Sequence, residues 1–359
     1  MFYKVAGWSA SLGTTFNPAW LTGNPNGPFT GYGLFGLSAV ASGVAGGGSM
    51  PAPPFPLFGG TGLPGFNLLP TFLTVPTVPI PDMSIIHQGD GIVLSWTIPS
   101  ANFVLQQNTN LATTAWTEVT ATATLDYASL QYELALPRPD GNVFYRLALS
   151  GQTNVYGSNI VGYATVALTP GYNLLANPLN ACVTNGANEI MPILDGELVL
   201  TWNGGSFSEI QYDSTAGGWV SADDVTPASP PSLPPGKGFF FFNPNRTATN
   251  FAFMGKVVPG PGTTNCMVLN PGYSLIGSSL PGAINQITSA PVSLPIIDGM
   301  YIFQWNGSTY EITIYDSTAG GWVQADDTTP SFAPPYVIGQ GFFLFNSHVT
   351  ANVWCQTLP

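Results

Sequence analysis

The chain has 359 residues, of which 45% are hydrophobic and 7% are charged, and its formal net charge is −12. Its six lysine and arginine side chains give no electrostatic surface for nucleic acid or an anionic membrane, and the low charge argues against the usual disordered chain. With 42 glycines, 34 prolines and many β-branched and aromatic residues, the composition predicts an all-β protein with many turns.

Residues 1–82 form the first predicted domain, an extended segment rich in glycine and proline. Residues 5–81 contain no charged side chain and no histidine. The segment has too much proline and glycine for a membrane-spanning helix, and its best helix candidate, residues 34–44, is too short to span. So long an apolar segment needs a surface to lie against. That surface could belong to its own domains or to a neighbouring subunit, whose open sheet edges it would extend; a disordered or carrier segment is the third reading.

Regularly spaced β-type runs predict a β-sandwich over residues 83–166, with Trp96 in its core. The runs are 92–96, 103–107, 116–119, 132–136, 144–149 and 160–166. The order of LSW, FVLQ, WTEV and FYRLAL resembles fibronectin type III-like modules. More narrowly, SWTIPSANFVLQQNTNLATTAWTEV followed by NVFYRLAL is similar to modules of secreted proteins of Verrucomicrobia and related bacteria. The resemblance implies a sandwich fold and no particular activity.

The rest of the sequence contains two copies of one domain, 167–258 and 259–359. YDSTAGGWV at 212–220 recurs at 315–323, and GKGFFFFN recurs as GQGFFLFN, which indicates a tandem duplication. Each FFFF-type strand is apolar at consecutive positions, so both of its faces should be covered. The frame GYNLLANPL…WNG…YDSTAGGW…GKGFF resembles a C-terminal β-domain of surface proteins of Bacteroidetes and Verrucomicrobia, which implies a surface or secreted protein and little more.

Each YDSTAGGWV segment predicts a hairpin, because its Gly-Gly pair suits a tight turn between two β-type runs. Tyr212 and Trp219 would pair across the first hairpin, and Tyr315 and Trp322 across the second. These aromatic pairs have two possible interpretations. They could be ordinary sheet packing, or they could be platforms on which a sugar ring stacks.

The three cysteines are Cys182, Cys266 and Cys355, and their spacing predicts no zinc site. Cys266 opens the second copy and Cys355 closes it. Because the first and last strands of a β-domain are often neighbours, this pair could form a disulfide; three reduced buried thiols is the other reading. No secretory signal is visible, so export would use another route or the numbering starts at a mature or truncated end. We still expect an extracellular or cell-surface location.

A search for catalytic chemistry predicts that the protein is not an enzyme. Neither histidine has a partner set, and no nucleophile, metalloprotease or phosphate-loop motif occurs. Four aspartates in the loops after the hairpins are weak calcium candidates, although aspartate also favours turns in its own right. They are Asp223, Asp224, Asp326 and Asp327. No other cofactor is expected.

The sequence therefore predicts tandem β-sandwich-like domains of an extracellular structural subunit. Its N-terminal segment would drive self-assembly into a fibre, sheath or surface layer, with other copies of the chain as partners. The alternative is a secreted or cell-surface protein that binds polysaccharide for adhesion.

Overall fold

The computed structural model describes most of the chain after residue 79 and short stretches before it. These are residues 80–358 except 99, 101, 127, 128, 153, 182, 183 and 192, and residues 2–3, 5–12, 14–15, 33–38, 41–42 and 69–70. The chain divides into two units, Met1–Ile80 and Pro81–Pro359. Nearly all elements are strands in antiparallel sheets, which confirms the all-β prediction. Cys182 and most of the N-terminal segment lie outside the described residues.

The first unit contains short strands and one turn of 3-10 helix. They are β1 (Phe2–Tyr3), β2 (Ala6–Trp8), the 3-10 helix (Ala10–Leu12), β3 (Leu34–Leu37), β4 (Ala41–Ser42) and β5 (Leu69–Pro70). Strand β1 pairs with β4, and β3 lies between β2 and β5. Within the best helix candidate, residues 34–44, the described residues thus form strands β3 and β4 rather than a helix, since a helix interior disfavours Gly36 and the neighbouring strands offer pairing.

The second unit opens with a two-sheet sandwich. Its strands are β6 (Met83–Gln88), β7 (Gly91–Thr97), β8 (Phe103–Asn108), β9 (Thr117–Glu118), β10 (Thr124–Asp126), β11 (Gln131–Pro137), β12 (Val143–Leu149) and β13 (Tyr156–Leu168). One sheet has the order β10-β11-β7-β6, and the other contains β13-β12-β8-β9. This is the immunoglobulin-like architecture that fibronectin type III domains share. Trp96 is buried between strands, as predicted.

The two sequence copies fold alike. The first contains β14 (Gly171–Ala176), β15 (Leu179–Asn180), α1 (Ala187–Ile190), β16 (Leu198–Trp202), β17 (Phe207–Asp213), β18 (Gly218–Ser221), β19 (Gly238–Asn243) and β20 (Thr249–Val257). The second contains β21 (Thr264–Leu269), β22 (Gly272–Gly277), β23 (Tyr301–Trp305), β24 (Tyr310–Asp316), β25 (Gly321–Gln324), β26 (Gly341–Asn346) and β27 (Asn352–Thr357). Their five-stranded sheets, β14-β19-β16-β17-β18 and β22-β26-β23-β24-β25, have the same order.

The long strand β13 joins the sandwich to the first copy. It pairs with β12 of the sandwich on one edge and with β20 of the first copy on the other. A side chain at Gly162 would meet the Phe144 ring, 2.7 Å from a built Cβ, so glycine permits the close approach at this crossing. Phe144 belongs to the same core cluster as Phe239 and Trp354. One hydrophobic core therefore runs from the sandwich through both copies.

The FFFF-type strands are covered on both faces, which confirms the prediction from their continuous apolar sequence. In β19, Phe239 and Phe241 enter the main core. Phe240 points the other way into a second cluster that also contains Phe343 of β26. This second cluster lies between the two five-stranded sheets, so each sheet packs one face against its own copy and the other against the opposite copy.

The contacts between the copies are reciprocal. Trp202 of the first copy donates its Nε1 hydrogen to the Tyr273 carbonyl at 3.2 Å, and Trp305 of the second copy donates to the Tyr172 carbonyl at 2.9 Å. Each contact thus has its counterpart with the copies exchanged. This is the pattern of an isologous dimer interface, here built inside one chain.

Backbone hydrogen bonds follow the same reciprocal pattern. The Ala176 amide donates to the Gly339 carbonyl at 2.9 Å, and the Gly277 amide donates to the Gly236 carbonyl at 3.0 Å. The backbones come so close that a Cβ built at Gly238 would lie 2.8 Å from the Ile276 nitrogen. The glycine that opens each FFFF-type strand, Gly238 or Gly341, is therefore required by the packing between the copies.

We expect Gly238→Ala to destabilise the protein by roughly 1–3 kcal/mol, because the new methyl group collides with backbone atoms rather than with a movable side chain. Denaturant unfolding of the full chain measures the change. The matched control is Gly205→Ala, since no atom lies within 4 Å of a Cβ built at Gly205. Equal effects of the two substitutions would contradict the close-packed interface.

Candidate functional site

The repeated YDSTAGGWV sequence forms the predicted hairpin in each copy. In the first, Tyr212 of β17 lies opposite Trp219 of β18, and their rings meet edge to face with centroids 5.6 Å apart. Gly217 and Gly218 have φ values of 85° and 148°, which glycine adopts without strain. Trp219 is buried in the main core, and its Nε1 donates to the Asn188 side-chain oxygen at 2.6 Å.

The second hairpin repeats this packing. Tyr315 and Trp322 meet edge to face at 5.3 Å and pack against the same core. Edge-to-face pairs held against a core are ordinary features of packed sheets. The geometry favours the packing reading of these aromatic pairs, and their use as sugar-stacking platforms stays a prediction.

Asp223 organises the loop that follows the first hairpin. Its carboxylate accepts hydrogen bonds from the Val225 amide at 3.1 Å, the Thr226 amide at 2.8 Å and the Thr226 hydroxyl at 2.6 Å. These bonds, with the Thr226 hydroxyl first, lower the pKa of Asp223. Asp224 has a φ of 60°, a left-handed conformation in which aspartate is enriched.

The second copy has the same loop. Asp326 accepts from the amides of Thr328 and Thr329 and from the Thr329 hydroxyl, and these bonds, with that hydroxyl first, lower the pKa of Asp326 to about 2. Asp327 has a φ of 59°. In the described part of the chain, no group of three or more histidine, cysteine, aspartate or glutamate side chains could hold a metal ion. Turn chemistry accounts for these aspartates, and calcium binding stays an untested prediction.

The two cysteines at the ends of the second copy lie on a two-stranded ribbon made of β21 and β27. The register places Cys266 opposite Cys355, and the structure joins their sulfurs as a disulfide. Two residues along, Val268 lies opposite Val353, and these valines are 58% and 53% exposed. We call this exposed row of four side chains the ribbon face.

The ribbon differs from its counterpart in the first copy. There, β13 and β20 lie inside the six-stranded sheet β15-β20-β13-β12-β8-β9, whereas β21 and β27 pair only with each other among the described strands. Where the second copy has the exposed valine pair, the first has Ala167 opposite Asn250. The second copy thus combines an exposed apolar row with unpaired strand edges, which natural proteins usually cover or charge.

The sequence contained a signal for the ribbon face that our reading missed. In both TNCMVL and NVWCQT, the cysteine and the valine are two positions apart. Since alternate residues of a strand share a face, an outward disulfide places both valines outward as well. No sequence pattern indicated that, among the described strands, β21 and β27 have no third strand beside them.

A buried carboxyl group in the first copy was also missed. Glu197 is 0% exposed, and its Oε2 accepts from the Leu194 amide at 2.9 Å. Its Oε1 has no hydrogen-bond partner among the described residues. Burial raises the pKa of Glu197 to about 7 against the opposing Leu194 bond. The corresponding residue of the second copy is Met300, whose sulfur accepts from the Ile297 amide at 3.2 Å.

The Glu197 carboxyl group should make stability depend on pH. Its folded pKa of about 7 exceeds the ordinary value of 4.5, so its contribution is fully present below about pH 4.5 and is lost as the pH rises through 7. Glu197→Met should therefore stabilise the protein at pH 8 by about 3 kcal/mol relative to its effect at pH 4. Denaturant unfolding at both pH values measures this.

The reverse substitution, Met300→Glu, is the matched control. It should introduce in the second copy the same loss of stability with rising pH, because the two positions have the same backbone contact. A Glu197→Met protein whose stability changes with pH as much as the wild type would contradict the assignment.

The disulfide should stabilise the fold by linking cysteines 89 residues apart. Replacing Cys266 and Cys355 by serine should cost up to about 4 kcal/mol in denaturant unfolding, since the unfolded chain regains the entropy of an open loop. Cys182→Ser is the control and should leave the Cys266–Cys355 peptide intact in a non-reducing peptide map. Free thiols at positions 266 and 355 in the purified protein would contradict the pairing.

Comparison with known proteins adds little to this geometry. No family model matches the chain, and no curated protein matches it. Among solved structures, the crystal structure of chicken CNTN1 FN1-FN3 domains is similar at 13% sequence identity and a TM-score of 0.15, over 76% of this chain and 97% of that chain. A similarity at that TM-score carries no argument. Within the described residues, no helix has the length and apolar character needed to cross a membrane.

Proposed function

We propose that this chain is a non-enzymatic, extracellular structural subunit that self-assembles into a fibre, sheath or surface layer. The observation that carries the proposal is the ribbon of β21 and β27, which has open edges among the described strands and an exposed valine pair. The N-terminal segment of a neighbouring subunit would extend this ribbon by adding a strand at its edge.

Strand addition fits the ribbon because an unpaired edge presents backbone N–H and C=O groups that another extended chain can satisfy. Those hydrogen bonds need no particular sequence in the added strand. Specificity would come from the ribbon face, where Val268 and Val353 offer apolar contact beside the disulfide.

The N-terminal segment has the composition of a donor. Residues 5–81 have no charge that would have to be desolvated on docking. The described parts of this unit are mostly extended strands, among them β2, β3 and β5. The abundant prolines limit the donor to short stretches, because proline cannot supply a backbone hydrogen to a sheet.

Donor and acceptor are different surfaces, so the contact is heterologous and propagates as an open polymer rather than a closed dimer. The charge pattern is compatible with dense packing. Only 7% of residues are charged, and the one ion pair among the described residues joins Lys256 and Asp82 at 2.8 Å. Because the net charge of −12 opposes association, added salt should favour assembly.

Two features support an extracellular location. The Cys266–Cys355 disulfide suits an oxidising compartment. The sequence also resembles modules of secreted and surface proteins of Verrucomicrobia and Bacteroidetes over 83–166 and 167–359. The rival function, polysaccharide binding through the hairpin aromatics, is less favoured because Trp219 is buried and both pairs pack on the core.

Assembly is tested by light scattering after size exclusion and by negative-stain imaging. The full chain should form filaments or large oligomers, and a chain starting at Pro81 should stay monomeric. The truncation begins there because the Pro81 carbonyl accepts a hydrogen bond from the Ser158 amide inside the second unit.

Two substitutions locate the acceptor. In the full chain, Val353→Lys should reduce assembly at least tenfold, because it places a charge on the ribbon face. Val349→Lys is the matched control, since Val349 is 93% exposed in the same copy but lies outside the ribbon. A monomeric full chain would sink the proposal, and equal assembly of both variants would place the contact elsewhere.

A further inference from the structure

A cleft of about 440 Å³ lies between the sandwich and the second copy. The sandwich contributes Trp116, Arg146 and Tyr156, and the second copy contributes Leu358 and the turn at 261–262. Ligand sites are often found at such junctions between domains.

The sandwich and the second copy contact each other directly beside this cleft, and one of its lining residues is part of their shared core. The Asn110 side chain donates to the Ala283 carbonyl and accepts from the Ala283 amide, both at 3.3 Å. Leu111 is buried in the core shared with both copies. The sandwich and the second copy are therefore fixed relative to each other beside the cleft, which limits the rearrangement that a ligand would require.

In this cleft, the Arg146 guanidinium group is stacked on two aromatic rings. Its guanidinium carbon lies 4.2 Å from the Trp116 ring centroid and 3.9 Å from that of Tyr156. Its Nε donates to the Gln106 side-chain oxygen at 2.9 Å. These contacts fix the plane of the guanidinium group and occupy its Nε. A side-chain hydrogen bond to Tyr156 engages the group as well, and the terminal nitrogens, with four hydrogens between them, retain further donors.

Arg146 has no carboxylate within ion-pair distance among the described residues. This is unusual in a chain with 18 acidic and six basic side chains. Burial lowers the pKa of Arg146, against the opposing effect of Tyr156, so the cation is partly desolvated without a compensating charge. A clamped, partly desolvated guanidinium is suited to a planar anion, above all a carboxylate.

The remaining lining favours a hydroxyl-rich ligand. Thr114 and Asn154 add polar side chains to the lining, and so does Thr113, whose hydroxyl donates to the Asn110 carbonyl at 3.0 Å. Aromatic rings beside such groups suit a molecule with both apolar and hydrogen-bonding surfaces. We propose that the cleft at Arg146 binds the carboxylate of an acidic saccharide, with a uronic acid as the recognised unit.

The simpler alternative is that the Trp116–Arg146–Tyr156 stack only stabilises the sandwich. That alternative predicts a loss of stability on substitution and no dependence on a ligand. Binding and stability must therefore be measured separately.

The test is isothermal titration calorimetry of the full chain with a trisaccharide of galacturonic acid. Its fully methyl-esterified form is the neutral probe of the same shape. Saturable binding of the acid alone is expected. The affinity should fall at least tenfold in Arg146→Gln, and it should fall several-fold in Arg146→Lys, because an ammonium group keeps the charge but lacks the planar pair of donors.

Arg246→Gln is the matched control, since it removes the same charge from an exposed position in the first copy and should leave the affinity unchanged. Thermal unfolding of each variant identifies any that fail to fold, and Arg146→Lys then supplies the comparison. No saturable binding, equal binding of the methyl ester, or wild-type affinity in a folded Arg146 variant would each overturn the proposal. None of these results depends on whether the chain assembles.

Discussion

The face-to-face packing of the two copies is the constraint on which the rest of the second unit depends. Two five-stranded sheets meet through Phe240, Phe343 and the aromatic residues around them, and the indoles of Trp202 and Trp305 cross to the opposite copy's backbone. Because each contact has its reciprocal, a residue needed in one copy is needed in both. The tryptophan of the WNG turn and the glycine that opens the FFFF-type strand therefore serve the interface in both copies.

The same packing explains the unusual composition of these strands. A sheet that has its own core on one face and the other copy on the opposite face cannot alternate apolar and polar residues. Carboxylate side chains such as Asp223 and Asp326 therefore lie in turns, where they accept hydrogen bonds from backbone amides of their own loops. Among the described carboxyl groups the buried exception is Glu197, which lies where the second copy has methionine and marks a position at which the copies have diverged.

With the sheets facing each other and β13 tying the first copy to the sandwich, the copies differ in what surrounds their terminal strands. The first copy's strands β13 and β20 lie within a larger sheet, whereas the second copy's β21 and β27 form a separate ribbon. The valine pair appears on this separate ribbon. Assembly through the ribbon would give its edges the neighbours that β13 and β20 have within the chain.

The sequence predicted the parts of this fold that depend on local pattern. The duplication, the hairpins and six strands of the sandwich followed from repeats and alternation. Strands β6 and β10 were missed, because MSIIHQ begins directly after a proline-rich stretch and TLD is too short to alternate.

The relation between the copies could not be read from the sequence, because it depends on which faces meet. The stacking of Arg146 on Trp116 and Tyr156 could not be predicted either, because these residues come from separate parts of the sandwich. The sequence alone allowed either a Cys266–Cys355 disulfide or three free thiols. The register of β21 against β27 places Cys266 opposite Cys355.

The most direct measurement for the central claim is amide hydrogen exchange on the assembled full chain and on the chain starting at Pro81. Our account predicts that assembly slows exchange in β21 and β27, while the amides of β19 and β26 exchange equally slowly in both samples. Unchanged exchange in the ribbon of a verified assembly would contradict the claim that this ribbon is the acceptor.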